Sequence, residues 1–196
     1  MDKLIVGLTG GIASGKSAVS GILSELGAYI IDADKISREV TADGSETLAE
    51  IEKAFPGTVA NGKLDRLMLK KVAFATPEAT KKLNSITHPA IFTKINDRIG
   101  LAPNGIIVLD VPLLFETGAE KLCNLTVTVA CDEEMRINRI VKRDNIDEAL
   151  AKQIVSKQMS EDERIKRATF VIENNSDLES LKDKVEKFYH KLKELY

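Results

Sequence analysis

Residues Gly10-Gly11-Ile12-Ala13-Ser14-Gly15-Lys16-Ser17 match G-x-x-x-x-G-K-[ST], the signature of a loop that binds polyphosphate. An apolar run, Leu4–Leu8, precedes it and reads as a buried strand. A stretch of helical spacing, Ser17–Leu26, follows and stops at Gly27. Strand, glycine loop and helix in that order commit the chain to an α/β beginning. A helix N-terminus offers unpaired N–H groups and partial positive charge to an anion. The glycines let the loop backbone curl around it. Lys16 is the point charge for the β and γ phosphates, and the Ser17 hydroxyl is a Mg²⁺ ligand.

The rest of the pattern extends this start. A second apolar run, Ala28–Ile31, ends at Asp32-Ala33-Asp34. Two strands around one helix read as a parallel βαβ unit, with its second strand next to the phosphate loop. From Lys35 to Leu101 no strand is expected. Ser45–Phe55, Leu64–Ala75 and Thr76–Ile86 carry helical periodicity, punctuated by Gly57, Gly62 and Pro77. Strands return at Ile106–Leu109, Leu125–Ala130 and Phe170–Ile172. Helices are expected over Asp132–Arg143, Asp147–Met159 and Asp177–Tyr196. The expected class is α/β, a parallel sheet with helices on both faces.

The 196 residues suffice for one sizeable core, and no apolar run is long enough to span a membrane. The opening strand leaves no place for a signal or transit segment, so a cytoplasmic enzyme is expected. Cys123 and Cys131 read as small buried hydrophobes rather than a disulfide or metal pair. A net charge of −2 argues against general nucleic-acid binding. Oligomeric state stays open between a monomer and a small homo-oligomer.

Ligands of open parallel sheets bind beyond the carboxyl ends of the strands. There Asp34 is the candidate base that orients and deprotonates an acceptor hydroxyl. Asp32, two residues earlier, either shares that work or binds a metal-held water; the alternative is that one of the pair simply caps the helix from Lys35 to Val40. Asp110 closes an apolar strand, as a Mg²⁺ contact or as a turn carboxylate. Arg139 and Arg143, four apart, share a helix face and read as a phosphate clamp or as solvated surface charge. Asp132–Arg167 holds as many basic as acidic residues, so only the spacing is informative. His88 precedes Pro89, which reads as a helix opener. A guanine-binding switch is disfavoured: Thr93-Lys94-Ile95-Asn96 lacks the final aspartate of [NT]KxD, and the DxxG at Asp97–Gly100 lies in a helical stretch.

Taken together, these segments resemble the dephospho-coenzyme A kinase family along nearly the whole chain. The likeness rests on Val6–Ser17, Ile31-Asp32-Ala33-Asp34, Leu83-Asn84, His88-Pro89 and Pro112-Leu113-Leu114-Phe115-Glu116. It continues through Arg139, Arg143-Asp144, Gln158, Arg164 and Val171–Asn174. The resemblance implies a three-layer P-loop kinase fold. Residues 1–34, 102–131 and 168–196 would form the nucleotide-binding core, 35–101 a helical acceptor-binding insertion, and 132–167 a helical lid. It implies transfer of phosphate from ATP, with Mg²⁺, to the ribose 3′-hydroxyl of dephospho-CoA, the last step of coenzyme A biosynthesis. A nucleoside or nucleotide kinase of the same fold is the alternative. By the same resemblance, Lys16, Asp34, Arg139 and Arg143 are catalytic. Gly11, Ile12, Ala13, Ser14, Gly15, Lys16, Ser17, Ala18 and Asn175 hold ATP. Asp32, Asp34, His88, Leu113 and Glu116 hold the acceptor, and Ser17 and Asp110 hold Mg²⁺. The chain departs from the family pattern at Ala13, where glycine is usual, at Thr169 and Glu173, where aspartates are common, and at Ser176. An alanine at position 13 is unstrained only at negative φ.

Overall fold

The computed structural model describes residues 3–196. The chain opens with β1 (Lys3–Gly10), α1 (Lys16–Glu25) and β2 (Tyr29–Asp32). Then come α2 (Ala33–Val40), α3 (Glu46–Ala54), the short strands β3 (Val59–Ala60) and β4 (Lys63–Leu64), α4 (Arg66–Ala73) and α5 (Pro77–Leu101). After these follow β5 (Gly105–Asp110), a 3₁₀ turn (Ala119–Leu122), β6 (Leu125–Ala130), α6 (Glu133–Asp144), α7 (Glu148–Ser156), α8 (Glu161–Arg167), β7 (Phe170–Glu173) and α9 (Leu178–Leu195). Two compact units result. One runs up to Ile31 and resumes over Ala102–Tyr196; the other is Asp32–Leu101. Residues 132–167 belong to the first.

In the first unit the sheet order is β2-β5-β1-β6-β7, and β1 pairs in parallel with both β5 and β6. A strand covered on both faces is apolar along its length, which is why Leu4–Leu8 lacks polar alternation. On one face Leu4, Val6 and Leu8 join Ile106 and Val108 beneath α1 and α9, which contribute Val19, Leu23, Leu181, Val185 and Leu192. On the other face Gly7 lies so close to Leu114 and Cys123 that an added Cβ would meet Cys123 Sγ at 2.8 Å. Because its neighbours β5 and β6 lie on opposite sides, β1 ends at the point where the connections diverge, and the glycine loop begins there. The expectation that the second strand lies next to β1 is corrected: β5 separates them.

The second unit is helical, as expected, with its own core of Ile51, Phe55, Leu69, Ala73 and Leu83. Two expectations are corrected there. Asn61 and Gly62, at φ 53 and 75, make the tight turn of the β3–β4 hairpin where no strand was expected. The helix expected to stop at Ile86 runs to Leu101 with Pro89 inside it rather than opening a new one. Packing explains the length: Leu83 and Ile95 are both buried, and Arg98 of α5 pairs with Glu39 of α2 at 3.0 Å. These contacts outweigh the N–H that Pro89 lacks. The [NT]KxD- and DxxG-like stretches lie within this helix.

In the first unit α8 was not expected, although its sequence carries the signals. Ser160 caps it, accepting from Glu163 N at 3.2 Å, with acids in the first turn and bases in the last. Thr169 has a structural place, exchanging hydrogen bonds with Thr126 at 3.0 and 3.1 Å where β7 begins. Cys123 and Cys131 are free thiols, and burial, with Glu120 nearby, pushes Cys123 up to about 12. Leu192 is fully buried between α9 and the sheet. Leu192→Ala should lower the unfolding free energy by about 3 kcal/mol, seen in urea titration as a lower midpoint with an unchanged slope.

Candidate active site

The glycines of the loop are fixed by what approaches them. A Cβ on Gly10 would lie 2.6 Å from Ser14 Oγ, and one on Gly11 2.5 Å from a guanidinium nitrogen of Arg136. Gly15 has φ 98, and its Cβ would lie 2.1 Å from Asn174 Nδ2. Gly15 also caps α1 without a side chain. Among the described residues, no protein atom accepts from the N–H groups of Ala13, Gly15, Lys16 or Ser17.

Three carbonyl groups of the same loop are engaged by side chains from elsewhere in the chain. Arg136 Nε donates to Ile12 O at 3.0 Å, Arg139 Nη1 to Ala13 O at 3.2 Å, and Asn174 Nδ2 to Ser14 O at 2.7 Å. Arg139 also reaches Cys131 Sγ and Asn174 O. Arg139 is therefore bound to the loop's own backbone. Arg143, two turns of α6 from Arg136, is more exposed and pairs with Asp144 at 2.7 Å. That hydrogen bond raises the Arg143 pKa and lowers that of Asp144.

Lys16 Nζ is ion-paired with the Asp110 carboxylate. β5 lies beside β1 in parallel with Asp110 in register with Leu8, so Asp110 comes out at the same end of the sheet as the loop, and it is 7% exposed. Ser17 is exposed in the first turn of α1, as is expected of a hydroxyl that meets a ligand. Of the run after β5, Leu114 and Phe115 are buried, while Leu113 and Glu116 face solvent. Arg167 stacks over Phe115 and donates to its carbonyl, fixing the run. Asn175 exchanges two hydrogen bonds with Asp132, at 2.8 and 2.9 Å. It lines a cavity of about 480 Å³ with Cys131, Arg136, Gln158 and Glu161.

In the second unit the paired aspartates divide. Asp32 Oδ1 caps α2, accepting from Asp34 N at 2.9 Å and Lys35 N at 3.1 Å. Asp34 lies in the first turn of that helix. His88 sits halfway along α5, edge-on to Phe92 at 6.0 Å. It lines a cavity of about 320 Å³ with Thr41, Arg66, Lys70, Phe74 and Asn84. Among the described residues no carboxylate lines this cavity, and Arg66 is held there by a 3.2 Å bond to Thr41 Oγ1. Burial lowers the His88 pKa.

Alanine at position 13 has φ 61, so the condition for an unstrained residue is not met. Arg136 and Glu161 went unrecognised in the sequence, although Arg136 stands three residues before Arg139 on the same helix face.

A family model described as dephospho-CoA kinase matches residues 4–180. The chain belongs to the dephospho-CoA kinase family. A dephospho-CoA kinase from Fusobacterium nucleatum is 44% identical over 190 residues, 96% of this chain and 98% of that one. A crystal structure from Thermus thermophilus superposes with a TM-score of 0.87 at 31% identity, covering 98% of this chain and 99% of the other. A dephospho-CoA kinase from Campylobacter jejuni gives a TM-score of 0.65 at 27% identity, over 97% and 98% of the two chains. The three-layer kinase architecture is thus shown, and the nucleoside or nucleotide kinase alternative is not favoured.

Two outcomes follow from the geometry. Ala13→Gly should raise stability by about 0.5–1 kcal/mol, because relief of the left-handed alanine exceeds the added freedom of the unfolded chain; thermal or urea unfolding measures it. His88 has a lowered pKa in the fold, so the unfolded chain binds more protons. Stability is then fully present above the unfolded pKa of about 6.5 and declines as pH falls below it. Urea midpoints at neutral and mildly acidic pH should differ less in His88→Gln than in the parent.

Proposed function

We infer that the protein transfers the γ-phosphoryl group of ATP to the ribose 3′-hydroxyl of dephospho-CoA, giving CoA and ADP. The observation that carries this reading is the loop itself. Among the described residues, the N–H groups of Ala13, Gly15, Lys16 and Ser17 lack protein acceptors, while the carbonyls of Ile12, Ala13 and Ser14 are bound elsewhere, within a chain of this family. That polarity fits a triphosphate. Ser14 Oγ, buried without a hydrogen-bond partner, fits a polar ligand as well. One hydroxyl and one carboxylate, Ser17 and Asp110, form a donor set suited to Mg²⁺, which keeps several waters and takes few protein ligands. When bound, Mg²⁺ supplies charge neutralisation at the phosphates.

The chain's own residues do the rest. Asp110 holds the Lys16 ammonium at the end of β5, ready for the β and γ phosphates. Asp34 orients the 3′-hydroxyl and takes its proton as the oxygen bonds to γ-phosphorus and the bridge to the β-phosphate breaks. Asp32 fixes the start of the helix that carries Asp34. Residues 132–167 act as the lid: Arg139 fixes the loop, and Arg143, near the end of α6, reaches the transferring group. The acid-free cavity of the helical unit, with Arg66, Lys70 and His88, suits part of a bulky anionic acceptor, while Leu113 and Glu116 offer exposed side chains to it. Asn175 serves the nucleotide side.

Mass spectrometry of the product from ATP, Mg²⁺ and dephospho-CoA should show the gain of one phosphoryl group. Preference for nucleoside monophosphates would overturn the acceptor assignment. Lys16→Met and Asp34→Asn should each lower kcat by about 10²–10⁴ with unchanged circular dichroism. Near-normal turnover in Asp34→Asn would remove it as the base.

A further inference from the structure

We propose that Arg136 and Gln158 are positioning residues for the triphosphate site, holding Ile12 of the loop by both sides of its backbone; this rests on the kinase reading above. Ile12 N donates to Gln158 Oε1 at 2.8 Å, and Ile12 O accepts from Arg136 Nε at 3.0 Å. Arg136 Nη2 closes the ring, donating to the same Gln158 oxygen at 3.3 Å. The three groups come from the loop, from α6 and from the segment after α7. Each clasp therefore joins residues more than a hundred positions apart in the chain.

The charge arrangement says why an arginine stands here. Arg136 is 3% exposed and Arg164 1% exposed, and both turn to one carboxylate, Glu161. Arg164 takes the better share, 2.7 Å against 3.6 Å for Arg136. Glu161 spends its other oxygen on Cys131 N at 2.9 Å. A buried guanidinium with only part of a carboxylate needs further acceptors. Those of Arg136 are the Ile12 carbonyl and Gln158. Burial lowers its pKa and Glu161 opposes that, but the fork geometry of three acceptors is what places it. Gly11 completes the fit, since any Cβ there would run into this guanidinium.

A cluster that served packing alone would affect both substrates alike, through the fraction of folded protein. A loop clasp acts on the triphosphate first. The test is titration of the full chain with a fluorescent ATP analogue and Mg²⁺, without acceptor, alongside KM values for ATP and for dephospho-CoA. Gln158→Leu, at a half-buried position, should weaken the analogue and raise KM for ATP by about tenfold, with KM for dephospho-CoA within about twofold. Gln158→Glu keeps an oxygen for Ile12 N–H and for Arg136 and should recover most of the affinity. Arg136→Met should match Gln158→Leu, and if it does not fold, the two Gln158 variants decide. Parental affinity in Gln158→Leu overturns the proposal, as does equal weakness in Gln158→Glu. Failure of the parent protein to bind the analogue would overturn the kinase reading itself.

Discussion

The carbonyl oxygens of Ile12, Ala13 and Ser14 are the constraint on which the site depends. A backbone loop carries as many acceptors as donors, and a polyphosphate is repelled by the acceptors. The chain resolves this by drawing the three carbonyls to Arg136, Arg139 and Asn174, which come from α6 and from the end of β7. Only then can the N–H groups of the loop serve one ligand together. Sheet order supplies the partners, because β6 leads into α6 and β7 pairs with β6, bringing Asn174 to the same side. The arginines of α6 thus have two kinds of work, with Arg136 and Arg139 building the loop and Arg143 standing more exposed.

The strands on either side of β1 explain why the chemistry gathers at its end. β5 brings Asp110 to Lys16, and the run after β5 is pinned from β1: Val111 N donates to Leu8 O, and Thr9 Oγ1 to Pro112 O. Ala13 at positive φ adds strain of about 1–2 kcal/mol. The clasps around the loop hold it in that conformation. The helical unit has its own core, and among the described residues no carboxylate lines its cavity, so the residues there are packed separately from those of the glycine loop.

Much of this was legible in the sequence because it is local. The glycine loop, the five sheet strands and most helices announce themselves by period and punctuation within a dozen residues. Gly62 stands out only as punctuation between helical segments, because strands of two residues are too short to show alternation. The reach of α5 through Pro89 was hidden, since it depends on burial of Ile95 and the Arg98–Glu39 pair. Asp32 and Asp34 look equivalent in sequence, and only the backbone geometry assigns the cap to Asp32. Arg136 was the least visible of all. Its charge resembles surface charge until Ile12, Gln158 and Glu161 are brought around it.

The most direct test of a pre-built loop is amide hydrogen exchange, resolved by residue, in nucleotide-free protein. Ile12 and Ser14 N–H groups have protein acceptors, Gln158 and the Gly11 carbonyl, and should exchange slowly. Those of Gly15, Lys16 and Ser17 should exchange fast and become protected when ATP and Mg²⁺ are added. Uniformly fast exchange across the loop without nucleotide, with protection gained everywhere at once on binding, would mean that the ligand builds the loop, contrary to the structure.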